Sequence, residues 1–288
     1  MAEGTIAVTG GRVWYERIGE GDRLPLLVLH GGPGFTHEYV RTLEALADER
    51  PVVFYDQLGC GRSERPNDVS LWTVERSVAE LRQVRDALGL DGVHLLGQSW
   101  GTMLATEYLL GRPGGVRSVI FASPCISAPR WMADAARLLD GFPAEFRRLI
   151  ERHEAAGHTS CPEYQAAILA YYRRHVCRLD PWPEPVERSF AGAGMSVYEA
   201  MWGPSEWTVS GVLRAFDRSG RLGELDLPAL YTCGRYDEAT PETVEFYRSQ
   251  TRGATLEVFE SSAHMAHLEE PDRYHGVVRG FLHSVEDG

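Results

Sequence analysis

Residues Gly97-Gln98-Ser99-Trp100-Gly101 set a serine between glycines two positions to either side. The apolar run Val93–Leu96 precedes them and the helix-like stretch Thr102–Leu110 follows. A strand that turns directly into a helix through such a pentapeptide makes a sharp bend with the serine hydroxyl exposed at its apex. The flanking glycines remove Cβ atoms that would clash in so tight a bend. A short string of small residues also matches ordinary turns. The reading therefore rests on the strand–helix context and on what the remaining chain carries.

The remaining chain keeps the same alternation. Thr5–Val8 and Arg12–Ile18 read as a hairpin broken by Gly10-Gly11, and short apolar runs then alternate with helical patterns. Leu24–Leu29, Val52–Tyr55, Val93–Leu96, Val116–Ala122, Ala229–Cys233 and Thr255–Phe259 read as buried strands. His37–Asp48, Thr73–Leu88, Thr102–Leu110, Pro241–Gln250 and Pro271–Ser284 read as helices. Such alternation predicts a mostly parallel sheet flanked by helices on both faces. Residues 125–222 break the rhythm with helix-like runs only: Ala133–Leu139, Ala144–Ala156, Tyr164–Arg173, Val186–Ala191 and Val209–Ser219. Core strands flank this stretch on both sides, so it reads as an inserted helical cap above a core formed by residues 1–124 and 223–288.

Composition narrows the function. With 41 acidic against 29 basic residues, the net charge of −12 disfavours a phosphate backbone, so no nucleic-acid partner is expected. The five cysteines, Cys60, Cys125, Cys161, Cys177 and Cys233, have neither disulfide nor zinc spacing, and His153 and His158 do not share a helix face. No metal or other cofactor is therefore expected. The N-terminal residues lack the pattern of a secretory signal and no segment has the length of a membrane span, which predicts a cytoplasmic protein without a membrane partner. The sequence carries no signal of oligomeric state.

A serine nucleophile needs a base, an orienting acid and an oxyanion hole. In the α/β-hydrolase fold these follow in the chain order Ser, Asp or Glu, His. Asp237, after the strand that follows the insertion, is the expected acid, with Glu238 its nearest competitor. His264, in the loop after the last strand, is the expected base in preference to His267. Around His30-Gly31-Gly32-Pro33-Gly34, after an early strand, glycines let backbone N–H groups approach a developing oxyanion. Gly32 and Trp100, the residue after the nucleophile, are the expected donors.

Taken together, His30-Gly31-Gly32-Pro33-Gly34, Asp56-Gln57-Leu58-Gly59-Cys60-Gly61-Arg62-Ser63, Gly97-Gln98-Ser99-Trp100-Gly101 and Gly234-Arg235-Tyr236-Asp237-Glu238 resemble the proline iminopeptidase family of serine α/β-hydrolases. The resemblance implies metal-free removal of one residue from the free amino end of a peptide or amide through an acyl-enzyme. It also implies that Glu238 and Glu206, the latter in Trp202-Gly203-Pro204-Ser205-Glu206-Trp207, hold the substrate ammonium, with Gly31 and Trp207 as further substrate-binding positions. The expected partner is a small molecule or short peptide with a free α-amine. Two alternatives stay open: removal of an aminoacyl group from a large apolar amine, with Trp131, Tyr171, Tyr172, Trp182, Tyr198, Trp202 and Trp207 lining a tunnel, and a general esterase or amidase indifferent to the amine.

Overall fold

The four-residue runs Leu26–Leu29 (β3) and Val52–Tyr55 (β4) are fully buried, as strands covered on both faces must be. The computed structural model describes residues 1–288 and gathers these runs into one eight-stranded sheet of order β1-β2-β4-β3-β5-β6-β7-β8. The other strands are Ala2–Val8 (β1), Gly11–Ile18 (β2), Val93–Ser99 (β5), Val116–Pro124 (β6), Ala229–Gly234 (β7) and Thr255–Phe259 (β8). The β1–β2 and β2–β4 pairs are antiparallel and every other pair is parallel. This is the α/β-hydrolase architecture.

The strand order reverses between β3 and β5, because β4 lies on one side of β3 and β5 on the other. Loops leaving the two strands at such a reversal diverge, opening a crevice at the carboxyl edge of the sheet. The β3–β5 register pairs Leu29 with Gly97, so the next residues of each strand, His30-Gly31 and Gln98-Ser99, emerge side by side. Parallel pairing of Gly234 with Phe259 likewise brings the loops after β7 and β8 together.

Helices Val74–Ala87 (α1) and Trp100–Leu110 (α2) lie in the first half of the chain. Nearly every residue of α2 is buried, as expected for a helix packed on all sides. The expected helix at His37–Asp48 is wound more tightly, as 3₁₀ turns over His37–Leu46. Between β6 and β7 there is no strand. Five helices lie there: Ala128–Leu139 (α3), Ala144–Ala155 (α4), Pro162–His175 (α5), Glu184–Ala191 (α6) and Met195–Met201 (α7). Leu139, Ile150, Tyr164, Ala167 and Tyr171 form a small apolar core of their own among α3, α4 and α5. Pro241–Gln250 (α8), Ala266–Glu269 (α9) and Pro271–Glu286 (α10) complete the chain.

Two local expectations differ from the structure. Helix α7 has no counterpart in the pattern reading, and Val209–Ser219 is not one helix but a bent segment with a 3₁₀ turn at Val212–Ala215. Its backbone groups bond elsewhere. Ser210 and Gly211 N–H both donate to Trp202 O at the end of α7, while Phe216 O accepts from Ala128 and Arg218 N–H donates to Ile126 O. Backbone groups committed to distant partners cannot also close helical turns.

Candidate active site

Ser99 ends β5 with φ 53° and ψ −121°, so the chain enters α2 through the backbone bend the sequence predicts. A Cβ at Gly97 would overlap Gly101 O, and one at Gly101 would overlap Leu29 O. Both glycines are thus required by the close approach of α2 to β3 and β5. The amide of Trp100 opens α2, where a helix has no internal acceptor for its N–H groups and favours negative charge.

Gly32 lies beside Ser99 in the lining of one pocket, with φ +114°, a conformation open to glycine. Gly31 does not line that pocket. Its N–H is taken by Tyr39 Oη at 2.6 Å, and its missing side chain serves the site by closeness alone, since an added Cβ would fall 3.0 Å from Ser99 Cβ. The Asp56–Ser63 segment buttresses this loop. Gln57 N–H donates to His30 Nε2 at 3.0 Å and Trp100 Nε1–H donates to Gln57 Oε1 at 2.9 Å. Asp56 accepts the amides of His37 and Arg62, both at 2.8 Å. Burial pushes His30 down to about 4, which keeps it the neutral acceptor this network needs.

His264 Nδ1 lies 2.7 Å from Asp237 Oδ1. Asp237 also accepts Ala239 N–H at 2.8 Å on the same oxygen and Gly234 N–H at 3.3 Å on the other. Two donors fix the His264 carbonyl: Ser123 Oγ at 3.0 Å and Gln98 Nε2 at 3.3 Å. Gln98 Oε1 accepts from the hydroxyl of Tyr39, so one side chain links the glycine loop to the histidine loop. His267 faces away from the pocket. Its Nε2 pairs with Tyr39 O at 2.9 Å, and burial pushes its pKa down to about 3.

Ser99, His264, Glu206 and Glu238 line the same pocket, together with Gly32, Phe35, Tyr39, Gln98, Tyr172, Val176, Phe190 and Met265. Glu238 is 3% exposed, with Oε1 3.9 Å from His264 Nε2, while its Oε2 has no hydrogen-bond partner. Burial, then the charges of Glu206 and Asp237, hold its carboxyl well above the ordinary carboxylate range. Burial also raises Glu206, against the pull of the Tyr198 hydroxyl, which donates to Oε1 at 2.7 Å. Two carboxylates, Glu238 buried and Glu206 half-buried, thus share a pocket without a Lys or Arg, an arrangement that a ligand's positive charge would relieve. No cluster of three or more His, Cys, Asp or Glu side chains is disposed to hold a metal ion. No helix is long and apolar enough to cross a membrane.

Trp207 is a correction. It is absent from the pocket lining, donates its indole N–H to Glu154 at 2.7 Å and packs edge-on against Tyr171 and Tyr164. Of the expected aromatic tunnel only Tyr172 lines the pocket; Tyr198 reaches Glu206 and Trp131 packs edge-on to the His264 ring. Sequence reasoning missed Tyr39, Phe35, Val176, Phe190 and Met265, which carry no motif of their own. Gln98 could have been found, since it stands inside the elbow pentapeptide.

Residues 25–271 match the family model described as alpha/beta hydrolase fold. The chain is 50% identical to the proline iminopeptidase of Heyndrickxia coagulans, over 98% of this chain and 99% of that protein. It superposes on the crystal structure of VinJ with a TM-score of 0.95 at 37% identity, over 99% of both chains. The proline iminopeptidase of Mycobacterium smegmatis gives 0.90 at 38% identity, over 99% of this chain and 98% of that one. By the extent of these matches, the chain belongs to the proline iminopeptidase family of α/β hydrolases.

Proposed function

We propose that this enzyme removes a single residue bearing a free α-amine, proline or a small residue, from the amino end of a peptide or amide. One observation carries the reading. Ser99 and the Asp237-paired His264 line the same pocket as two carboxylates, Glu206 and Glu238, and no Lys or Arg lines it. A neutral acyl group would gain nothing from that pair, whereas an ammonium would compensate both.

In the proposed reaction Ser99 Oγ attacks the acyl carbon while His264 Nε2 takes its proton. Asp237 holds the Nδ1–H and stabilises the imidazolium. The tetrahedral oxyanion accepts the N–H groups of Gly32 and Trp100. Collapse breaks the C–N bond, and the departing amine takes the proton from His264. Water, activated by the same imidazole, then hydrolyses the Ser99 ester and restores the serine. Glu206 and Glu238 hold the α-ammonium throughout, so only one residue fits before the scissile bond. Residues 125–222 act as the cap that supplies Glu206 and encloses the acyl residue.

The apolar lining at Phe35, Val176, Phe190 and Met265 also supports a second reading, in which the leaving amine belongs to a large apolar molecule. Hydrolysis of prolyl, alanyl and N-acetyl-alanyl arylamides tests the first, with Ser99→Ala as blank. Cleavage confined to free-amine substrates supports it, and equal cleavage of the acetylated one refutes it. Alanyl amides of longer alkyl amines test the second: kcat/KM that rises with chain length supports it, and a flat series refutes it.

A further inference from the structure

The turn that carries Glu206 is fastened from behind by one carboxylate. Ser205-Glu206-Trp207-Thr208 closes on itself through Thr208 N–H, which donates to Ser205 O at 3.3 Å. Three of its four side chains then converge on Glu154 of α4. Trp207 Nε1–H donates at 2.7 Å, Thr208 Oγ1–H at 2.8 Å and Ser205 Oγ–H at 3.3 Å. The hydroxyl of Tyr164, on α5, adds a fourth donor at 2.7 Å. Only Glu206 sends its side chain elsewhere, into the pocket, where Tyr198 and Tyr172 donate to Oε1 at 2.7 and 3.4 Å. Indole donors hold the turn's carbonyls, Trp131 on Glu206 O at 3.0 Å and Trp202 on Ser205 O at 3.1 Å.

We propose that Glu154 is a positioning residue for amine recognition. It clamps the turn so that the Glu206 carboxylate stands at a fixed place in the pocket; this rests on the reading of Glu206 as an ammonium anchor. A turn of irregular backbone has no helical or sheet ladder to fix it, so its side-chain bonds decide its pose. The four donors to Glu154 are uncharged, three of them meeting Oε1 and the fourth Oε2, so the clamp is built around one carboxylate without a cation. Without it, three donors of one turn lose their acceptor together, and they regain one only if the turn shifts toward water. Glu206 shifts with it. This also accounts for Trp207, whose indole N–H serves the clamp rather than the substrate.

The test compares Glu154→Ala, Glu206→Gln and the double variant on alanyl arylamide and on a simple aryl acetate, which has no amine to anchor. Glu154→Ala raises KM for the arylamide by roughly 10-fold or more, since misplacement of a binding group by about 1 Å has effects on this scale. It leaves kcat/KM for the acetate within about twofold and adds nothing further in the Glu206→Gln background. Glu154→Gln, which keeps one acceptor oxygen, recovers part of the loss. Equal losses on both substrates, or a Glu154→Ala penalty undiminished in the double variant, overturn the inference. If Glu206→Gln alone leaves free-amine selectivity intact, the anchor reading fails instead. Should Glu154→Ala not fold, Trp207→Phe and Thr208→Val each remove one clamp donor. Raised arylamide KM with acetate turnover retained supports the clamp, and unchanged KM in both refutes it.

Discussion

Glu238→Gln distinguishes a carboxylate kept for substrate from one kept for the fold. The native side chain is buried beside Glu206 and Asp237, with one oxygen unpartnered and the other 3.9 Å from His264 Nε2. In the proposed complex a substrate ammonium supplies the missing positive charge. A hydrogen bond to a charged partner contributes about 1.5–3 kcal/mol, and at about 1.4 kcal/mol per decade its loss is roughly a 10- to 150-fold fall in kcat/KM. In the substrate-free protein the same change removes a group whose ionisation is opposed by burial and by the charges of Glu206 and Asp237. The variant is therefore expected to be at least as stable as the native enzyme while losing efficiency. The linkage sign agrees. Because the folded chain holds Glu238 above its ordinary 4.5, it retains a proton that the unfolded chain releases. Native stability thus declines as pH rises from 4.5 toward the folded value, and the decline is smaller in Glu238→Gln. The assays are kcat/KM on prolyl arylamide and on an aryl acetate, with Tm measured from pH 4 to 8. Equal losses on both substrates, or a lower Tm across that range, would mean that Glu238 serves the fold rather than the substrate.

Further expectations concern the charge on the base, the elbow and the far edge of the sheet. Asp237→Asn removes the carboxylate 2.7 Å from His264 Nδ1 and should lower kcat on prolyl arylamide by about 10³–10⁴-fold with little change in KM. A fall below about tenfold would deny the pair a catalytic role. Gly101→Ala drives a Cβ into Leu29 O and should cost about 3 kcal/mol or more by urea unfolding. Gly276→Ala, exposed on α10 with open space around it, should instead gain about 0.5–1 kcal/mol, and the reverse order would discredit the packing argument. Glu286, paired with Arg50, Arg23 and His94, is held down at about 2. Glu286→Gln should therefore lower Tm at pH 7, and the deficit should shrink as pH falls from 4.5 toward 2, since the native advantage is lost over that window. A deficit independent of pH would assign it to packing.

Local chemistry made part of the site legible. The elbow is one pentapeptide whose pattern is local even though Gly101 answers to Leu29 O on the distant strand β3, and the alternating apolar runs announce buried parallel strands. The choice between His264 and His267 was not a local matter. They stand three residues apart, His264 in the loop after β8 and His267 in α9, and only the packed structure pairs the first with Asp237 and the second with Tyr39 O. The same holds for the adjacent carboxylates. Asp237 turns to the Nδ1 side of the ring and Glu238 toward Nε2, a division that adjacency in sequence does not encode.

Residues 125–222 were the least legible. Helix α7 escaped notice, and Val209–Ser219 was misread, because hydrogen bonds to Trp202, Ala128 and Ile126 override its local preference. The family resemblance implies a substrate-binding Trp207, yet its indole partner Glu154 lies 53 positions away and holds it outside the pocket lining. The sheet, the serine at its bend and the order of the groups that follow were legible in the chain, because apolar periodicity and the elbow pentapeptide are patterns of neighbouring residues. How Glu206 and Glu238 come to line one pocket with Ser99, and which groups hold them there, followed from the folded chain, because those placements rest on hydrogen bonds and burial between segments that meet only on folding.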